Sequence, residues 1–434
     1  MKKFSVLFFS VMLLVFVSCS DDKTTEPKND APTCKITSPE DNFTINKGDS
    51  VLVSVEAADD FEVSEINFYL DDLLVTSISD SSNSSVIHTD SVMTGKHIII
   101  AVALDNEGLE SSDSIFINVE MYISFQDQNL ENKIRQKINK PTGQLYLSDV
   151  DTITVLDLKD ADILSIDGLE YCTSIETIDL SSNYIIDVSC LSGLTTLQSL
   201  NFHNSMIISD ISPLSELTNL MYLDLYDNNI SDISPLSELT NLMYLDLYDN
   251  LISDISPLTE LINLTELNVR YNRVTDISAL SNLTKIEELD ISENFQISNI
   301  SALSGMTNMK TLILHLNLID DISALSNMNN LIKLTLNYNG ISDITPLSNM
   351  TKLEELYLPY NNIRDISPLS GLDSLSVLEL NENSILDILP LVQNTEFASG
   401  DRVNLTGNPL NDTSINTYIP QLQARDVNVT FGKK

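Results

Sequence analysis

The chain of 434 residues holds no tryptophan, four cysteines and four histidines, and its 23 Lys and Arg are outnumbered by 63 Asp and Glu. Each shortage excludes something. At a formal net charge of −40 the surface repels a phosphate backbone instead of releasing its counterions, so nucleic acid is excluded as a partner. Four imidazoles leave little for acid–base work or metal ligation, and the patterns HExxH, GxGxxG, GxxxxGKS and GxSxG are missing. An enzyme would need a nucleophile beside a base or an open metal site, and these His and Cys positions assemble neither. We therefore expect no catalytic residues, no metal and no cofactor. What remains, 42% hydrophobic and 20% charged residues, is the composition of a folded chain too long for a single ordinary core.

Lys2 and Lys3 precede an apolar run from Phe4 to Val17. That run is long enough for a signal-peptide core yet short of the roughly 20 residues that span a bilayer. Residues 1–18 are accordingly expected to be removed. The residues Phe16-Val17-Ser18-Cys19 resemble the lipobox of bacterial lipoproteins, with Phe16 in place of the usual Leu. The resemblance implies that Cys19 becomes an acylated N-terminus. Ser20-Asp21-Asp22 is similar to the acidic tag by which some Gram-negative phyla export lipoproteins to the outer face of the outer membrane. Residues 19–31 then form an acidic flexible tether, and the membrane is reached through the lipid anchor alone.

From 32 to 120 the pattern changes to short alternating runs, among them Val51 to Val55, Ile66 to Leu70, Leu73 to Val75, Ile98 to Leu104 and Ile115 to Ile117. Gly48, Asp71-Asp72, Gly95 and Asn106-Glu107-Gly108 separate them as turns, the spacing of an antiparallel sandwich of about seven strands. The stretches INFYLDDLLV and GKHIIIAVALDNEG resemble bacterial immunoglobulin-like modules, which implies an all-β sandwich acting as a stalk.

Self-similarity dominates from Ile153 onward. The unit LxxLxLxxNxIxDISPLxxLTx recurs every 22 or 23 residues for about twelve coils, through residue 410. Ser209 to Ile230 and Ser231 to Ile252 are identical except for Asn229 against Leu251. One unit cannot bury its own leucines, whereas stacked neighbours make a continuous apolar column. The pattern resembles the leucine-rich repeats of internalin-type surface proteins, which implies a right-handed solenoid with a parallel β-sheet on its concave face. The repeated Asn reads as a backbone-satisfying residue, and the Asp that opens each ISPL turn reads as a cap. Residues 121–152, with Leu130, Ile134 and Ile138 at helical spacing, are expected to cap the first coil, and 411–434 the last. Of the cysteines beyond Cys19, Cys34, Cys172 and Cys190 allow at most one bridge, and whether Cys172 and Cys190 pair stays open.

Positions 3, 5, 7 and 8 of each unit are expected to face outward on the concave side. Eight of the 14 tyrosines fall there: Tyr222, Tyr226, Tyr244, Tyr248, Tyr271, Tyr338, Tyr357 and Tyr360. Without Trp, Tyr is the main aromatic anchor an interface has. Rungs lie about 4.8 Å apart, so Tyr222 and Tyr244, and Tyr226 and Tyr248, fall within stacking reach. Between them lie Asp224, Asp227, Asp246 and Asp249, whose mutual repulsion a basic partner would relieve. His203 and His315, about 25 Å apart by rung count, serve at most as rim contacts. The sequence thus predicts a lipid-anchored surface protein whose concave face captures a protein ligand. The competing reading is glycan capture, with sugar rings on the tyrosines.

Overall fold

The computed structural model describes residues 28–79, 83–205 and 208–432. The signal segment, Cys19 and most of the tether lie outside these residues. The chain divides into two compact units, one ending at Met121 and the other running from Tyr122.

In the first unit, alternating apolar and polar residues fold as strands with one buried face. β1 (Thr33–Ser38), β3 (Ser50–Ala58) and β6 (Ser84–His88) make one sheet, in the order β1-β3-β6. β2 (Phe43–Asn46), β4 (Val63–Leu70), β5 (Leu73–Ile78), β7 (Gly95–Asp105) and β8 (Glu110–Glu120) make the other, in the order β2-β8-β7-β4-β5. All pairings are antiparallel except β2 with β8. Val53, Phe68, Ile87, Ile99, Ala101 and Ile117 are fully buried between the sheets. This is the immunoglobulin-like sandwich expected for 32–120, with eight described strands.

In the second unit, β9 (Tyr122–Ile123) pairs with β10 (Leu145–Tyr146), and α1 (Gln128–Lys137) lies between them in sequence. Asp127 caps α1 by accepting from the amides of Asn129 and Leu130 at 2.8 and 3.1 Å. Its other carboxylate oxygen accepts from the Leu164 amide at 2.8 Å, so the cap is fastened to the first coil. Leu130 and Ile134 are buried in the array core, against which Ile138 packs partly exposed.

Thirteen parallel three-residue strands follow in sequence order, from β11 (Val155–Asp157) to β23 (Asn428–Thr430). Twelve belong to the repeats. The thirteenth is supplied by the C-terminal flank, whose Val429 pairs with Val403. A single apolar cluster runs from Ile123 to Val429.

Two polar ladders hold the turns. In a typical coil, Asn250 donates to the carbonyls of Leu225, Leu247 and Tyr248 at 3.0–3.2 Å and accepts from the Ile230 amide at 3.0 Å. One amide side chain thereby satisfies buried backbone groups of two coils. On the opposite edge Asp232 accepts from the Ser234 amide at 2.8 Å, Asp254 repeats this at Ser256, and each opens a single 3₁₀ turn. The three described cysteines are unbridged, and burial pushes both Cys172 and Cys190 up to about 12. Among the described residues no helix is long and apolar enough to cross a membrane.

Candidate binding face

Five neighbouring strands build the centre of the exposed sheet face: β14 (Tyr222–Asp224), β15 (Tyr244–Asp246), β16 (Glu266–Asn268), β17 (Glu288–Asp290) and β18 (Thr311–Ile313). Their middle residue is a buried leucine, so the flanking residues turn outward. The register sets Tyr222 against Tyr244 and Asp224 against Asp246. The rings of Tyr222 and Tyr244 stack with centroids 4.3 Å apart and planes within 9°. Two residues further along, Tyr226 and Tyr248 stack at 4.6 Å. His203 tilts against Tyr226 at 4.2 Å, and the Arg270 guanidinium lies over Tyr248 at 5.0 Å. A four-membered π column therefore crosses four coils, parallel to the shorter Tyr222–Tyr244 pair. All four tyrosines are half-buried rather than fully exposed.

The structure corrects the sequence reading of the aspartates. Asp224 is only 7% exposed, and it accepts from the Tyr226 amide at 3.0 Å. Asp246 does the same for Tyr248 at 2.8 Å and also accepts from Asn268 Nδ2 at 3.1 Å. Both are turn-forming acceptors; Asp224 is buried, whereas Asp246 is half-buried on the sheet face. Burial raises the carboxyl of Asp224 and pushes that of Asp246 up to about 6, with Asp224 adding repulsion to Asp246.

Position 8 also differs from the expectation of a plain strand position. Asp227, Asp249, Tyr271, Tyr338 and Tyr360 all have φ between 51° and 56°, the left-handed turn that follows each strand. Asp tolerates this conformation better than Tyr does. Tyr271 meets the edge of Phe295 at 6.5 Å, and Tyr338 stacks on Tyr360 at 4.2 Å. Tyr357 lies on a strand near that second pair, donates to Glu355 at 3.1 Å and faces the Lys333 ammonium. The predicted residues thus form a central group from Tyr222 to Tyr271 and a separate group of Tyr338, Tyr357 and Tyr360.

Sequence reasoning missed the recess beside the central group. Tyr244, Asp246, Glu266, Asn268, Glu288 and Asp290 line a hollow of about 180 Å³ on the sheet face. A signal for it existed, because Glu266, Glu288 and Asp290 occupy the same two outward positions as the tyrosines and aspartates. Burial raises Asp290, and Glu266 is raised by burial and by Glu288. Among the described residues no group of His, Cys, Asp and Glu is arranged to hold a metal ion.

Residues 32–101 match the bacterial Ig domain family, and residues 218–260, 262–305 and 351–393 each match leucine-rich repeats in two copies. No curated protein matches the chain. An internalin from Listeria monocytogenes, InlF, is 31% identical over 71% of this chain and 96% of its own, with a TM-score of 0.62. The chain belongs to the internalin family. Weaker likenesses extend the internalin fold more widely. A leucine-rich-repeat protein of Leptospira interrogans is 17% identical over 65% of this chain and 91% of its own, with a TM-score of 0.51. The Arabidopsis receptor kinase HAESA, solved with a peptide hormone and a co-receptor, is 20% identical over 65% of this chain and 55% of its own, with a TM-score of 0.53.

Proposed function

We propose that this internalin-type chain is a cell-surface binding or adhesion protein, lipid-anchored through Cys19 at the outer membrane, whose sheet face captures a protein ligand. The observation that carries the reading is the pair of stacked tyrosine rails, Tyr222 with Tyr244 and Tyr226 with Tyr248. Four aromatic rings at outward strand positions are not required by the leucine core, and half-buried rings that keep one edge in water are typical interface anchors. The solved HAESA complex supports the reading by analogy, since that repeat protein is seen with protein partners.

The test is a quantitative binding measurement with a purified partner recovered on the full chain. A Tyr222→Ala, Tyr226→Ala, Tyr244→Ala, Tyr248→Ala variant that melts cooperatively should lose 2 kcal/mol or more of affinity, mostly through faster dissociation, by the usual order of magnitude for hot spots. Equal binding by that variant removes the rails from the interface. A glycan array on the same protein separates the competing reading, because sugar binding lost with the same tyrosines would replace the protein ligand by a glycan.

A further inference from the structure

The sheet face carries carboxylates along most of its length, yet they are treated differently in its two halves. Toward the C-terminus Glu355 is paired with Lys333 at 3.1 Å and Glu379 with Arg402 at 3.4 Å, each across a rung. In the centre, Asp224, Asp246, Glu266, Glu288 and Asp290 have no Lys or Arg within 4 Å among the described residues. The His203 ring lies 3.7 Å from Asp224. Arg270 stands in the same region, but its guanidinium is held by Glu293 and by the Tyr248 ring. The same register, in the same fold, therefore pairs its carboxylates with Lys and Arg at one end and leaves these five without such a direct partner in the middle.

That middle stretch coincides with the recess and with an aromatic wall. Four of the five carboxylates, all but Asp224, line the hollow, which Tyr244 closes on one side and Ile313 on the other. Its volume of about 180 Å³ admits one side chain and not a folded element. A cation entering there meets carboxylates in partly desolvated surroundings, where each pairing is stronger than at an open surface. The flanking Tyr222–Tyr244 stack offers a π face to the same group. The carboxyls of Asp246, Glu266 and Asp290 are raised, burial being the largest cause in each, and at Asp290 the nearby His315 and Arg270 offset part of that rise.

We infer that the recess between Tyr244 and Ile313 receives a lysine or arginine side chain from an extended basic segment of the protein ligand. This rests on the reading of the sheet face as a ligand-binding surface, and it adds the chemistry of the occupant. The rails hold the segment, while the four carboxylates that line the hollow select its charge and draw it in.

Fluorescein-labelled octa-arginine, titrated into the full chain and read by anisotropy at several salt concentrations, tests the inference. An Asp246→Asn, Glu266→Gln, Glu288→Gln variant is compared with a Glu216→Gln, Glu238→Gln, Glu260→Gln variant, whose exposed residues lie outside the strands. Both lose three negative charges. The recess variant should bind the peptide at least tenfold more weakly with a shallower salt dependence, and the control should change by less than twofold. Equal weakening in the two variants overturns the inference, because diffuse charge would then explain the binding. Melting curves verify that both variants are folded. If the recess variant holds both octa-arginine and the natural ligand like wild type while the tyrosine variant loses the ligand, the basic occupant is wrong and the binding face stands. If the tyrosine variant keeps the ligand, the binding face itself is wrong.

Discussion

Asp246 performs a task that an uncharged residue performs elsewhere in the same array. Asn201, Asn268 and Asn404 occupy its register position and accept from the amide two residues ahead at 2.8, 3.0 and 3.1 Å. Its carboxyl, pushed by burial up to about 6, binds a proton more tightly in the folded chain than in the unfolded one, where 3.8 applies. The folded state is therefore favoured by this group below pH 3.8, and the benefit is lost as pH rises through about 6. At neutral pH the buried charge costs stability, on the order of 3 kcal/mol for a rise from 3.8 to about 6. Asp246→Asn should accordingly raise the melting temperature at pH 7.5 and leave it nearly unchanged at pH 4. A gain of the same size at both pH values would show that charge is not what the residue adds. Which side chains face outward was legible at this scale, because a strand alternates with period two. The left-handed φ at Tyr271, Tyr338 and Tyr360 was not, since nothing local in a tyrosine favours that conformation and only the stacking of coils imposes it. The burial of Asp224 was equally hidden, because it depends on rings contributed by its own and the neighbouring coil.

At the scale of elements, the N-terminal cap depends on a close approach at Gly168. This glycine has φ of +104°, and a Cβ there would lie 2.5 Å from Cδ1 of the Phe125 ring. Phe125 is buried in the array core just ahead of α1. Gly168→Ala should thus strain the backbone and displace the ring, costing roughly 2 kcal/mol or more by analogy with overpacked cores. Thermal melts and amide exchange of residues 122–170 would register it. Protection unchanged in that segment would mean that the first coil holds without this seat. The helix itself was legible from Asp127 and the spacing of Leu130 and Ile134. The strand β23 was visible as an alternating run, but its membership of the sheet was not, because edge pairing depends on the last coil and not on the run. In the first unit β1, β2 and β6 escaped notice for a related reason. TCKITS, FTIN and SSVIH are short and mixed in polarity, and their positions in the sheets come from partners distant in sequence.

For the whole molecule, the lipid anchor proposed at Cys19 would set where the proposed binding face operates. Cys19→Ala should release the protein from the membrane fraction or block its processing, as followed by fractionation and acyl labelling. A variant still labelled and still membrane-bound would remove the lipid anchor. The repeat architecture was legible because each coil repeats the same solution, and one apolar cluster spans all of them. The two coils Ser209 to Ile230 and Ser231 to Ile252, alike at every position but one, have a genetic consequence. Coding stretches equally alike would be substrates for unequal recombination, and each exchange would insert or delete 22 residues without disturbing the leucine column. A duplication would lengthen both tyrosine rails by one ring and add one more aspartate between them. Sister lineages of this chain should therefore differ in whole-coil steps at this point, and the reach of the aromatic surface should vary among them while the acidic recess after it keeps its form.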